Sequence, residues 1–345
     1  MNPIIQFCLC SRVRLGVDVT QYILEFLRPN QKQILEMMFK EYGGLHCECK
    51  KNYYHSPNHF IDIKNFGEFD NSLHVDKNGR LVKLIIDHWH ECCGDWDDVM
   101  CFNRSDDHSY PRNCRLFDSI CLLPMLEEIS IQSVNFSEET TIPEDIWKLK
   151  KLKVLKLSHT HVMEDDNKRG ITGRIPVGLK YLNLKIINFS WLNLNCTDIS
   201  PILEIETLEE LDIYYIFEGD LHCDITNLDF SKLKNLRKII LEGSLSGVIP
   251  ESLCNLPNLE SVIIMEKHIE GVIPESIFTM PKINCLHIST NASLNFSGDL
   301  EYKNIEHIEI FRCGGKPLQV TGNVPEMYGS FDTPENELVR MEDVL

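Results

Sequence analysis

Histidines and cysteines concentrate in one stretch, DHWHECCGDWDDVMCFNRSDDHSYPRNCRLFDSIC. Imidazole and thiolate are the ligands that zinc prefers, so a small zinc loop is one interpretation. The stretch has no CxxC pair, and a disulfide-stapled loop or a binding loop with free thiols remains open as an alternative. Our leading prediction has no metal and no other cofactor. The zinc alternative would use His88, His90, Cys92, Cys93, Cys101 and Cys114.

Signatures of catalysis do not stand out in the sequence. There is no nucleophile–base arrangement, paired-carboxylate motif, Walker loop or Rossmann glycine fingerprint. A second polar stretch, HTHVMEDDNKRG, runs from His159 to Gly170 and is typical of a solvated loop. We therefore predict that the protein is not an enzyme.

Charge excludes two classes of partner. The chain of 345 residues has a formal net charge of −18, which repels nucleic-acid phosphates and anionic membrane surfaces. No apolar run is long enough to span a membrane. The N-terminus does not read as a secretory signal, so we predict a cytoplasmic protein whose 14 cysteines are reduced. Six N-x-S/T sequons keep a secreted alternative open: Asn103, Asn135, Asn188, Asn195, Asn291 and Asn295.

A spacing of apolar residues, LxxLxL, recurs nine times along the chain. Successive copies begin 22 to 29 residues apart, except for a first gap of 45 residues. The last two apolar positions of each copy lie on one face of a short strand. Such strands bury that face only when neighbouring units stack, which predicts a parallel sheet. The copies begin at Leu81, Leu126, Leu152, Leu179, Leu208, Leu236, Leu259, Ile283 and Ile305.

The segments that return between strands share a second signature. GVIPES occurs twice, starting at Gly247 and Gly271, and ITGRIPVGL is similar. Glycine suits a tight backbone position, and proline fixes φ and begins a turn.

Together these patterns resemble leucine-rich repeats, most closely the plant-type form LxxLxLxxNxLxGxIPxxLxxL. The resemblance covers residues 80–328 and implies an α/β solenoid of about nine repeats, a horseshoe with a short-strand parallel sheet on its concave face. An insertion at about 88–121 occupies the first gap. The asparagine that this family places three residues after each strand is mostly absent here, so buried backbone groups must find other partners.

The chain ends read as caps. Residues 1–79 predict a helical N-terminal cap and lead-in, with two helices between 17 and 44. The segment HVDKNGRLVKLIID resembles the lead-in to the first strand of many leucine-rich-repeat domains. An F-box-like adaptor element is the alternative for the two helices. Residues 329–345 read as an acidic C-terminal tail.

The resemblance implies a function in binding, because curved solenoids commonly bind proteins on their concave face. We predict a non-enzymatic protein–protein interaction module. Its partner is a protein of unknown identity, not a nucleic acid or a membrane. The rivals are an F-box-like substrate receptor and a secreted glycosylated recognition or structural protein. The predicted partner-binding residues are Lys156, Tyr181, Asn183, Glu210, Asp212, Tyr214, Lys238, Ile240, Met265, His287, Glu309 and Phe311.

Overall fold

The computed structural model describes nine ranges of the chain, and all structural statements refer to them. The ranges are residues 72–87, 119–132, 139–158, 170–217, 221–243, 245–296, 307–312, 320–322 and 330–331. The chain is divided into two compact units. Unit 1 comprises Met1–Leu182 with Trp191–Leu194, and unit 2 comprises Asn183–Ser190 with Asn195–Leu345. The two predicted N-terminal helices and the C-terminal tail from residue 332 onwards lie outside the described residues.

In unit 1, four strands follow one another in the main sheet. They are β1 (Ser72–Val75), β2 (Leu81–Asp87), β3 (Glu128–Gln132) and β5 (Val154–Ser158). β1 is antiparallel to β2, and the other pairs are parallel. Leu84 pairs with Ile129. The longest gap in the repeat pattern therefore lies between adjacent strands. Residues 88–118 of the predicted insertion lie outside the described residues, so the insertion stays a prediction.

The lead-in segment forms a hairpin between β1 and β2. The Asp76 carboxylate accepts hydrogen bonds from the backbone N–H groups of Asn78 and Arg80, at 2.8 and 3.0 Å, and pairs with the Arg80 guanidinium. Burial works against ionisation of Asp76, but the hydrogen bonds from Arg80 and Asn78 prevail and lower its pKa. The hairpin is thus fastened by one side chain.

In unit 2, seven parallel strands follow in sheet order. They are β7 (Ile186–Ser190), β8 (Glu210–Tyr214), β10 (Lys238–Glu242), β12 (Ser261–Glu266), β14 (Cys285–Thr290), β16 (His307–Arg312) and β18 (Ser330–Phe331). Within β8, β10 and β12 the burial alternates residue by residue. One face is the core, and the other is called the open sheet face below.

Minor strands pair outside the main sheet. In unit 1, β4 (Glu139–Thr141) is parallel to β6 (Gly170–Thr172). In unit 2, β9 (Cys223–Asp224) pairs with β11 (Leu245–Ser246), and β13 (Val272–Ile273), β15 (Ser293–Phe296) and β17 (Val320–Gly322) form a third parallel group. No helix among the described residues is long and apolar enough to cross a membrane.

The IP dipeptides in the return segments start short helices. Each helix begins directly after a proline with φ between −61° and −78°, and the missing N–H of proline costs no hydrogen bond at the start of a helix. The isoleucine before that proline is buried, as at Ile249 and Ile273. The helices are Glu144–Lys148, Val177–Tyr181, Glu251–Cys254 and Glu275–Thr279.

In return segments without the IP signature, aspartate side chains stabilise the turns instead. The carboxylates of Asp198, Asp224 and Asp229 each accept the N–H two residues ahead, at 2.9 Å. These are local turns that compete well with regular structure. The first precedes the helix Ser200–Leu203, and the segment after the third buries Leu233 and Leu236.

Several backbone carbonyls are satisfied by side chains at a different repeat position from the one where leucine-rich repeats place their asparagine. The residue before the first leucine of a repeat donates to a carbonyl oxygen of the preceding repeat. Thr207 donates to Leu184 at 2.7 Å, Asn235 to Glu206 at 2.8 Å, and Asn258 to Lys234 at 2.7 Å. Buried Glu266 accepts the N–H of Leu245 at 2.8 Å. The expected alternative partners therefore exist in these repeats.

One predicted strand is wrong by five residues. The sequence pattern placed a strand within Leu179–Leu184, whereas the helix Val177–Tyr181 occupies the first half of that segment and β7 begins at Ile186. Leu179 and Leu182 are buried, but their spacing of three is also the spacing of one face of a 3₁₀-helix. The core residues of this repeat are Leu184, Ile187 and Phe189, each with 0% exposure.

Replacing Phe189 by alanine should lower the free energy of unfolding by about 3–5 kcal/mol, because a fully buried ring leaves a cavity. Tyr181→Ala is the matched control, since Tyr181 is 61% exposed and its change should stay within about 0.5 kcal/mol. Urea unfolding followed by circular dichroism measures both. Equal costs for the two variants would contradict the register of β7.

Candidate functional site: the open sheet face

Strand register arranges the open sheet face of unit 2 in three rows. The first row contains Ile186, Glu210, Lys238, Ser261, Cys285 and His307. The second contains Asn188, Asp212, Ile240, Ile263, His287 and Glu309. The third contains Ser190, Tyr214, Glu242, Met265, Ser289 and Phe311.

Nine of the predicted site residues occupy these rows. They are Glu210, Asp212, Tyr214, Lys238, Ile240, Met265, His287, Glu309 and Phe311. For Glu309 and Phe311 only the backbone position is described. Lys156 lies on the corresponding face of β5 in unit 1, where it is half-buried. Whether any of these residues contacts a partner stays a prediction.

Two predicted site residues are not in a strand. Tyr181 is the last residue of the helix Val177–Tyr181, and Asn183 is exposed before β7 begins. Their assignment to the sheet is wrong for the reason given above for Leu179 and Leu182. The residues that β7 does supply are Ile186, Asn188 and Ser190. The pattern LxxLxL beginning at Leu184 would have found them.

An acidic–tyrosine cluster, defined as Asp212, Tyr214, Tyr215 and Glu242, lies on β8 and β10. Asn188 donates to the Asp212 carboxylate at 2.9 Å, and the Tyr214 hydroxyl donates to Glu242. Burial raises the pKa of Asp212, and the nearby Lys238 only partly offsets this. Burial also raises the pKa of Glu242. The hydrogen bond from Tyr214 lowers this pKa, and the negative charge of Asp212 raises it further. Both carboxylates are thus partly stripped of water and costly to keep charged.

Tyr215 follows β8 in a left-handed conformation, with φ of +46°. This conformation is unusual for a bulky residue and costs energy that the surroundings must offset. The Tyr215 N–H donates to the carbonyl of Glu242 at 2.9 Å, and its ring is 41% exposed. Its ring stands edge to face with that of Tyr214, with centroids 4.9 Å apart. The sequence gives no pattern that would have revealed this residue.

Gly243 makes room for the Tyr215 ring. A Cβ at Gly243 would lie 2.3 Å from a ring carbon of Tyr215, and the φ of Gly243 is +67°. Only glycine fits both conditions without a shift.

An apolar strip lies beside the cluster. Ile240 and Ile263 are direct neighbours in the second row, and Met265 is in the third row on the same strand as Ile263. All three side chains are half-buried although they lie on the face away from the core. The strip therefore leaves apolar surface in contact with solvent.

Two of the described cysteines are buried and unreactive at neutral pH. Among the described residues, Cys121, Cys196, Cys223, Cys254 and Cys285 are not joined in disulfides. Burial raises the pKa of Cys223 to about 11 and that of Cys254 to about 12, so both stay protonated at neutral pH. In the described ranges no three His, Cys, Asp or Glu side chains are grouped to hold a metal ion. The zinc candidates His88 to Cys114 lie outside those ranges.

Asp212→Asn should stabilise the protein at neutral pH. The pKa of Asp212 is higher in the folded than in the unfolded protein, so its ionised form costs stability above the folded-state pKa. The cost is absent below the unfolded-state pKa of about 4, so the advantage of the variant should vanish there. Urea unfolding at both pH values measures this. Glu210→Gln, on the same strand but exposed, should change little. A destabilised Asp212→Asn protein at neutral pH would contradict the prediction.

Gly243→Ala should cost about 1–3 kcal/mol of unfolding free energy, from the left-handed backbone and the clash with Tyr215. The double variant with Tyr215→Ala removes the clash and keeps the backbone cost. Its loss should therefore be smaller than the sum of the two single losses. Additive losses in thermal or urea unfolding would show that the ring does not rest on Gly243.

Comparison with known proteins gives structures but no family. No protein-family model matches the sequence, and no curated protein matches it either. The structure of PEPR1-AtPEP1 is similar, with a TM-score of 0.52 and 18% identity, over 85% of this chain and 35% of that one. The LRR ectodomain of the Arabidopsis receptor kinase HAESA, solved with an IDA peptide hormone, has a TM-score of 0.44 and 16% identity. The match covers 85% of this chain and 47% of that one. A plant ice-binding protein has a TM-score of 0.48 and 17% identity, over 83% of this chain and 81% of that one.

The chain spans less than half the length of the receptor chains that it matches. At these identities the likeness concerns the fold alone. Short parallel strands recur in register at the spacing of the sequence repeat, and a solved structure shares their arrangement. The protein has a leucine-rich-repeat fold.

Proposed function

We propose that the protein binds a partner protein through the open sheet face of unit 2. The observation that carries the proposal is the apolar strip Ile240, Ile263 and Met265, which strand pairing holds side by side on a face that is not core. Apolar side chains in such a position cost free energy in water. A partner that covers them recovers about 25 cal/mol per Å² of apolar surface.

The acidic–tyrosine cluster adds selectivity to this strip. Asp212 and Glu242 are already partly desolvated in the folded protein. The free-energy cost of removing water from these carboxylates when a cation binds is therefore smaller than usual. Exposed tyrosine rings are favoured at interfaces because they combine a large apolar area with a hydroxyl. The partner should therefore present a basic group next to an apolar anchor.

The net charge should shape the kinetics of binding. A protein with a formal charge of −18 attracts a basic partner from a distance, and this attraction raises the association rate. Salt screens that attraction over about 8 Å at physiological ionic strength. Binding is proposed as the whole activity, with no catalytic step.

The cytoplasmic location stays a prediction, with secretion as its rival. One sequon already has a structural use, because the Asn188 amide donates to Asp212 within the sheet. A sugar on that nitrogen would replace one of its two hydrogens and would have to fit beside the Asp212 carboxylate. Intact mass of the natural protein separates the two locations, since added sugar or paired loss of thiol hydrogens would overturn the cytoplasmic prediction.

Binding should fall about tenfold to a hundredfold when Ile263 is changed to Asp, because central apolar anchors are worth about 2 kcal/mol or more.

Reversing two charges, Glu210→Lys with Asp212→Lys, should weaken binding and lower the association rate without lowering the melting temperature. A partner isolated by affinity pull-down and identified by mass spectrometry serves for biolayer interferometry.

Glu270→Lys is the matched control, since Glu270 is exposed and follows the buried Ile269 outside the main sheet. It makes the same change of charge as either reversal, Glu210→Lys or Asp212→Lys, made singly, and it should leave the dissociation rate unaltered. If substitutions along all three rows leave binding unaffected, the open sheet face is not the interface.

A further inference from the structure

A second surface, on unit 1, carries the opposite charge to the protein as a whole. Five lysines lie within the nine residues from 148 to 156, in the segment KLKKLKVLK. Leu149 and Leu152 between them are fully buried, which holds the segment against the core while Lys148, Lys150 and Lys151 remain exposed. This surface is local, because the chain carries a net charge of −18.

Two exposed aromatic rings accompany these lysines. Trp147 is 42% exposed at the helix Glu144–Lys148, and Tyr181 is 61% exposed at the end of the helix Val177–Tyr181. The two helices pack closely because Gly178 lacks a side chain. A Cβ there would lie 2.7 Å from the Glu144 carbonyl oxygen and 3.2 Å from the Trp147 ring.

Lys150 connects the two rings. Its Nζ lies 5.1 Å from the centroid of Trp147 and 5.9 Å from that of Tyr181, and it donates to the Tyr181 carbonyl oxygen at 3.4 Å. Lys180 Nζ also lies over Tyr181, 5.2 Å from its centroid. These are cation–π distances. Together Trp147, Lys150, Lys180 and Tyr181 form the lysine–aromatic patch.

Neighbouring charges leave this patch positive. Lys148 pairs with Asp145, and Arg174 forms a bidentate contact with Glu144, with 2.7 and 2.9 Å between the guanidinium nitrogens and one carboxylate oxygen. Within the described ranges no carboxylate forms an ion pair with Lys150, Lys151 or Lys180. The acids near the patch are therefore occupied by other cations, and its own lysines are not neutralised.

We propose that the lysine–aromatic patch binds a short acidic segment of a partner protein that carries an aromatic or aliphatic side chain. The ammonium groups suit carboxylates, and the exposed Trp147 and Tyr181 rings suit an apolar side chain packed against either ring. An extended polyanion such as nucleic acid, or an anionic membrane, would bring the rest of this acidic molecule against its own charge. A short segment meets only the patch. The surface is separate from the open sheet face and does not depend on its function.

The test uses the full-length protein and a fluorescein-labelled peptide of Asp and Glu with one central Phe, measured by fluorescence polarisation at low salt. A peptide in which Ser replaces every acid keeps the Phe but has no charge for the lysines, and it should not bind. Lys150→Glu and Lys180→Glu together should weaken the acidic peptide at least about tenfold, and Trp147→Ala should weaken it several-fold. Rising salt should weaken binding to the unaltered protein.

Lys234→Glu with Lys267→Glu is the control, because it makes the same change of charge at exposed lysines of unit 2. These variants should bind the acidic peptide at most slightly more weakly than the unaltered protein. Equal losses in control and patch variants, or no binding of the acidic peptide at low salt, would overturn the proposal. So would equally tight, patch-dependent binding of duplex DNA or of phosphatidylserine vesicles, because the occupant would then be another class of anion.

Discussion

Burial of short apolar strand faces against one another is the constraint on which the fold depends. A strand of five residues, such as β8 or β10, presents only two or three side chains to the core and cannot bury them alone. Leu211, Ile239 and Val262 are buried because parallel neighbours hold them in register. Each repeat is therefore stable only through its neighbours, and stability is a sum of interfaces between repeats.

The same register fixes what the other face can present. Since side chains alternate along a strand, holding Leu211 and Ile213 in the core forces Glu210, Asp212 and Tyr214 to the open face. Function on that face can vary while the core stays the same. Asp212 and Glu242 retain partly buried carboxylates there at a cost in stability, which accords with the binding role proposed for this face.

Much of this arrangement follows from the sequence, because the period of the apolar residues and the alternation within each strand are strong signals. The rows containing Glu210, Lys238 and Met265 were predictable for that reason. Tyr181 and Asn183 were misplaced because Leu179 and Leu182 satisfy a helical spacing as well as the repeat pattern. The left-handed Tyr215 and the approach of Trp147 to Gly178 depend on tertiary packing, to which no local pattern corresponds.

The hydrogen bonds from Thr207, Asn235 and Asn258 all run in one direction, from a repeat to the one before it in the chain. A polypeptide leaves the ribosome from its N-terminus, so the carbonyl acceptor of each bond is synthesised before its donor. Each of these three donors thus meets an acceptor that is already present, so none of the three waits for a residue that has yet to be synthesised. The polarity of these contacts suits growth from the N-terminus, one repeat at a time.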